Sequence, residues 1–141
     1  MPEMAEESVL EIVRMVPDMP SAVEAISSAS EALNFAKEKF NQQNYGESIH
    51  ESKSAIRLAS AAVLFRDGYI ASTLNATIRY LEEHYPDKFP NEDWKKLELI
   101  PDGEGPGLMN IIIRMLKNSD NRKRDAEHAI SVAEKFLSHL R

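Results

Sequence analysis

Apolar residues recur along most of this chain at the three-and-four spacing of one helix face. Val9, Ile12, Val13 and Val16 predict a first helix over residues 2–16, ended by Pro17-Asp18-Met19-Pro20, since a proline disfavours helix at the residue before it. Ser21 with Glu24 reads as a capping box that opens a long second helix. Its stripe is Ala22, Ala25, Ile26, Ala29, Ala32, Leu33, Ala36 and Phe40, mostly alanine, so a neighbouring helix can approach closely. After the polar break 41–44, Tyr45 opens a third helix that buries Ile49, Ile56, Ala59, Ala62 and Val63. It stops at Asp67-Gly68, where glycine supplies the left-handed residue of a helix end. So short a break makes the two long helices antiparallel neighbours.

A fourth helix is expected over residues 70–85, with Leu74, Ile78, Leu81 and Tyr85 inward and Pro86 as its stop. Pro90-Asn91-Glu92-Asp93 starts a short helix holding Trp94, Leu97 and Leu99, and residues 101–107 form a proline- and glycine-rich loop. Helix returns over 108–117, with Met109, Ile112, Ile113 and Leu116 on one side, and breaks at Asn118-Ser119-Asp120. The last helix carries Ala126, Ala129, Ile130, Ala133, Phe136, Leu137 and Leu140. No alternating strand pattern stands out, because helical flanks override the β-branched run 111–113. The fold class is all-α: an antiparallel up-and-down helical bundle of four to six helices in a single domain, 1–141.

Composition narrows the function classes. The 141 residues, 43% hydrophobic and 28% charged, suit one globular core. No apolar run reaches the roughly 18 residues of a membrane span, and the acidic start is the reverse of a signal peptide, so the chain reads as cytoplasmic. The absence of cysteine excludes disulfides, thiolate metal sites and cysteine nucleophiles. The formal charge of −6 is uneven: residues 1–51 hold ten acids against Arg14, Lys37 and Lys39, and the remainder is nearly balanced. An acidic front half repels phosphate backbones, so nucleic-acid binding needs a local patch in the second half.

Four patterns carry potential chemistry. Glu47 with His50, and Asp125 with His128, each put a carboxylate and an imidazole three residues apart, as bundle-core di-metal sites require; Glu31, Glu38 and Glu83 are the further ligands to test. His50 lies on a polar face with Glu51, Lys53 and Ser54, so both pairs read as surface residues, and no metal or other cofactor is expected. Arginine followed by histidine occurs at Arg79–His84 and Arg122–His128, a pairing suited to metal-free RNA cleavage, with histidine moving the proton and arginine steadying the phosphorane. Those spacings put the two side chains more than about 100° apart around a helix. The glycine-rich loop 102–107 lacks the Gly-Lys-Ser/Thr ending of a phosphate cradle, and Asp102 and Glu104 oppose phosphate. Lys117, Arg122, Lys123 and Arg124 cluster at the start of the last helix; a solvated turn is the default reading, but an anion there would meet side chains and free N–H groups together. These four are the ligand-binding candidates.

The stretch Ala36-Lys37-Glu38-Lys39-Phe40, Asn44-Tyr45-Gly46-Glu47-Ser48-Ile49, Ser52 to Ala59 and Ala61 to Gly68, with the alanine-rich last helix, resembles the HEPN domain, an antiparallel helical bundle of archaea and bacteria. The resemblance covers about 100 residues and rests on small residues at helical spacing. It implies nucleotide or nucleic-acid association, homodimers, a nucleotide or nucleotidyltransferase partner, and in some branches RNase activity from an arginine and a histidine of the final helix, here Arg122 and His128. Lys123 stands where the nuclease branches carry Asn, Asp or His, which favours a non-catalytic branch. The expected function is therefore a non-catalytic binding or accessory module. A metal-independent RNase using Arg122 and His128 and a tetratricopeptide-like peptide adaptor are the alternatives. Dimerisation also follows from apolar positions that a thin bundle would leave outside, Ile111, Met115 and Trp94 among them.

Overall fold

A computed structural model describes residues 11–101, 107–108, 111–112 and 120–140. The fold is all-α, an antiparallel helical bundle with one small two-stranded ribbon. In chain order the elements are β1 (Ile12–Arg14), α1 (Met19–Asn41), α2 (Tyr45–Asp67), β2 (Tyr69–Ala71), α3 (Leu74–His84), α4 (Asn91–Glu98) and α5 (Asp120–Ser138).

From residue 12 on, the ribbon replaces the first expected helix, whose residues 2–10 lie outside the described residues. Residues 12–14 are extended and pair antiparallel with residues 69–71, Val13 opposite Ile70, while Met15 N–H donates to Gly68 O (2.7 Å) and Ser72 N–H to Glu11 O (2.8 Å). Val13 and Val16 are half and four-fifths exposed, and among the described residues of that stripe only Ile12 packs against the core. The β-branched Ile12 and Val13, facing Ala71 and Ile70, satisfy their backbones across the ribbon, which a helix-period reading misses. The fourth helix accordingly starts at Leu74, capped by Thr73 Oγ1 accepting from Ala76 N–H (3.1 Å), and not at residue 70. Of the helix expected over 108–117, positions 108, 111 and 112 are helical; Met109, Ile113, Met115, Leu116 and Lys117 lie outside the described residues, as does Val9.

The cap of α1 is also one turn earlier than expected. Asp18, not Ser21, receives the backbone, accepting from Ser21 N–H (3.0 Å) and Ser21 Oγ (2.7 Å), and these bonds lower the Asp18 carboxyl below its usual value. Pro20 then falls in the first turn, where its missing N–H costs nothing.

From there α1 and α2 close on each other along small side chains. Ala29 and Ala36 of α1 and Ile56, Ala59 and Val63 of α2 are fully buried, and Ser48 Oγ crosses the seam to Ala36 O (2.8 Å). α2 ends at Gly68 with φ 86°, and a Cβ there would stand 2.8 Å from Met15 O; the glycine serves both the helix end and the ribbon's approach.

On its other side α2 receives α5, whose Ala126, Ala129, Val132, Ala133 and Phe136 are fully buried. Short helices α3 and α4, with the turn between them, close the far end with large rings: Phe89 of the turn stacks on Phe136 (5.2 Å) and Trp94 of α4 meets Phe136 edge-on (5.4 Å). Trp94 is wholly buried, which corrects its assignment to leftover surface, whereas Leu99 is 84% exposed although a helix-facing role was expected of it. Among the described residues no helix is long and apolar enough to cross a membrane.

Candidate functional site

Two buried cations converge where α4 runs out. Lys53, on the central helix α2, and Arg122, in the first turn of α5, are about 5% and 4% exposed. Lys53 Nζ donates to Ile100 O (2.5 Å) and Arg122 Nη1 to Pro101 O (2.7 Å), so two helices grip consecutive carbonyls. Beside them Arg57 holds Glu98 through two bonds (3.0 and 2.6 Å), and Trp94 Nε1–H adds a third to the same carboxylate (3.0 Å). A buried cation is costly unless hydrogen-bonded. Both are given carbonyl partners, and both thereby fasten the start of the glycine-rich connection to the bundle.

Of the four expected ligand-binding residues, then, Arg122 turns inward, Lys123 and Arg124 are exposed beside it, and Lys117 lies outside the described residues. His128 is on another face of α5, exposed, its Nε2 4.0 Å from Asp93 Oδ1. Arg122 and His128 thus have different neighbours. The other arginine–histidine pair is also drawn apart: Arg79 ion-pairs with Glu11, while His84 stacks on Tyr80 (4.1 Å) with Nδ1 3.0 Å from Tyr80 O. The di-metal constellation is not assembled, for Glu47 pairs with Lys39 (3.1 Å), and among the described residues no three His, Asp or Glu side chains gather as a metal site.

A second polar cluster escaped the sequence reading. Tyr80 and Tyr85 of the α3 end both donate to Asp67 Oδ2 (2.7 and 2.6 Å). Burial, and then the bond to the Asp67 carboxylate, raise both phenols, Tyr85 to about 12. An aspartate at a helix C-terminus opposes the helix dipole, and that mismatch at Asp67 was the one available signal that donors must come from elsewhere.

Three surface clefts are found among the described residues. One of about 330 Å³ separates the end of α3 from the start of α4, lined by Glu82, Pro86, Phe89, Pro90, Asn91, Glu92 and Asp93. Two of about 340 Å³ run between α1 and α5, and the Lys37–Glu134 pair (3.2 Å) stands where they meet. No family model matches the chain, and neither the curated proteins nor the solved structures give a match.

Proposed function

We propose that this chain is a non-catalytic, HEPN-like helical binding module, homodimeric and cytoplasmic, that associates with a phosphate-bearing ligand such as a nucleotide or a nucleic acid. Arg122 carries the reading: the one arginine placed to serve an RNase in the final helix is buried and bonded to Pro101 O. A guanidinium used to hold backbone is not available to steady a phosphorane. Lys123 and Arg124 remain exposed at the same turn and are the side chains that meet phosphate, with Arg122 and Lys53 positioning the connection beside them. Exposed Val16, Met19 and Val23, together with the ribbon pair Val13 and Ile70, support a self-association surface.

The test incubates structured and unstructured RNA in EDTA with the wild type and with His128→Ala, and follows binding of labelled RNA and ATP by anisotropy. Binding without cleavage is expected, weakened about tenfold by Lys123→Ala with Arg124→Ala, since each phosphate contact contributes separately. Sedimentation equilibrium of the same sample is expected at twice the 15.9 kDa chain mass. Cleavage that disappears in His128→Ala establishes the RNase instead.

A further inference from the structure

We propose, resting on the homodimer of the proposed function, that β1 pairs antiparallel with β1 of a second copy about a two-fold axis at Val13, so that two ribbons become one four-stranded sheet. The register fixes which main-chain groups are free for this. Ile12, Val13 and Arg14 stand opposite Ala71, Ile70 and Tyr69, and the bonds from Met15 N–H to Gly68 O and from Ser72 N–H to Glu11 O bracket them. Bonded pairs of an antiparallel ribbon recur at every second residue. Val13 therefore turns its N–H and C=O toward β2, while Ile12 and Arg14 turn theirs outward. β2 leans on α2 and α3, whereas among the described residues β1 packs chiefly against β2, so the outward edge of β1 is the open one. Neither lysine nor proline, common guards of such an edge, occurs between residues 11 and 16.

Three features make a second copy the occupant. The first is geometry. A two-fold at Val13 sets Ile12 of each copy opposite Arg14 of the other, and each such pair exchanges both of its main-chain bonds. An axis at Arg14 would instead put two arginines directly opposite, which is unfavourable. The second is the outer face. Val13 and Ile70, opposite each other and each about half exposed, continue across the axis into an apolar row of Ile70, Val13, Val13 and Ile70. Exposed Val16, Met19 and Val23 extend that surface along the chain. The five side chains together present roughly 500 Å², a patch of the size that marks an interaction surface and a large part of the ~800 Å² that a stable dimer takes from each partner. The third is charge. Between residues 11 and 23 the charged side chains are Glu11, Arg14 and Asp18, and Arg79 pairs with Glu11. These charges cancel, so two identical surfaces approach without repulsion, and neither an acidic nor a basic partner finds its complement here.

The chain has no cysteine, so Val13→Cys introduces a single thiol. Val13 and its copy form a non-hydrogen-bonded pair with Cα atoms about 4.5 Å apart, within disulfide reach. Ile70 and its copy lie three strand spacings apart, about 14 Å. Mild oxidation of the purified protein is expected to cross-link Val13→Cys nearly completely and Ile70→Cys not at all. Arg14→Pro tests the main chain, because it deletes an outward N–H and leaves the β1–β2 ladder intact. It is expected to weaken the dimer about thirtyfold in sedimentation equilibrium, two main-chain bonds being lost, whereas Arg14→Ala keeps the N–H and dimerises like the wild type. If Arg14→Pro lowers the urea midpoint, the cross-link decides alone. A dimeric wild type overturns the strand pairing, and leaves the homodimer standing, if Val13→Cys fails to cross-link, if Ile70→Cys links equally well, or if Arg14→Pro and Arg14→Ala dimerise alike. A monomeric wild type removes both, and slow hydrogen exchange of the Ile12 and Arg14 amides in that monomer assigns the edge to another segment of the chain itself.

Discussion

The two sides of α2 are built on different terms. Toward α1 it presents Ile56, Ala59 and Val63 to Ala29 and Ala36, all fully buried, with polar ties from Ser48 to Ala36 O and from Glu47 to Lys39 near one end. Toward the far end it meets rings, Trp94, Phe89 and Phe136, carried by α4, by the turn that joins α3 to α4, and by α5, the two short helices being 11 and 8 residues long. Helices that short are unstable alone. They are tied instead: Asn91 to the end of α3, Tyr80 and Tyr85 to Asp67, Lys53 and Arg122 to the end of α4. Long helices of small residues need close approach and little else, whereas short helices bearing large rings need both burial and polar fastening.

The comparison breaks most readily at Trp94. Its ring is wholly buried and its Nε1–H serves Glu98. Trp94→Ala is expected to lose about 3–5 kcal/mol from the cavity it leaves, seen as a lower urea midpoint. Trp94→Phe should recover much of that loss. A midpoint shift below that of the seam variant would show that the ringed end is the more forgiving side.

The seam fails in the opposite direction. Ala59→Leu adds volume where two backbones meet and is expected to cost about 1–3 kcal/mol by overpacking, while Ala59→Gly loses about 1 kcal/mol of helix propensity together with the burial of one methyl, about 0.8 kcal/mol. An Ala59→Leu variant with unchanged midpoint and slope would mean that the helices do not meet at this residue.

The same contrast explains what was legible in the sequence. Alanines at helical spacing wrote the seam directly, and Gly68 marked the end of α2 because only a residue tolerant of φ 86° closes it there. The ribbon was not legible: three-residue strands are too short for a period, and Ile12-Val13 fits either reading until its partner at Tyr69–Ala71 is known. The ties were hidden for a different reason. Lys53 looks like any solvated lysine of a polar face, and Arg122 like one of a basic run; burial of both follows from carbonyls that lie 47 and 21 residues away in the chain. Long-range partners leave no spacing to read.

The smallest expected effect probes the ties themselves, through Tyr85. At neutral pH, Tyr85→Phe removes one of two donors to Asp67 Oδ2 and should cost about 1 kcal/mol, Tyr80 still satisfying the carboxylate. The pH dependence is the sharper readout. Tyr85 has its folded value raised to about 12 by burial and the Asp67 bond, against about 10 in an unfolded chain. Below the unfolded value both states keep the proton, so the stabilisation is complete there. Between pH 10 and 12 the unfolded state releases its proton while the folded state retains it, so stability falls as pH rises. Tyr80, also raised, adds a parallel loss. Urea midpoints of the wild type should therefore decline from pH 9.5 to 11.5, and those of Tyr85→Phe should decline less steeply, without becoming flat. Parallel profiles would show that the Tyr85 hydroxyl does not bond Asp67, and would remove one of the fastenings that set the ringed end apart from the seam.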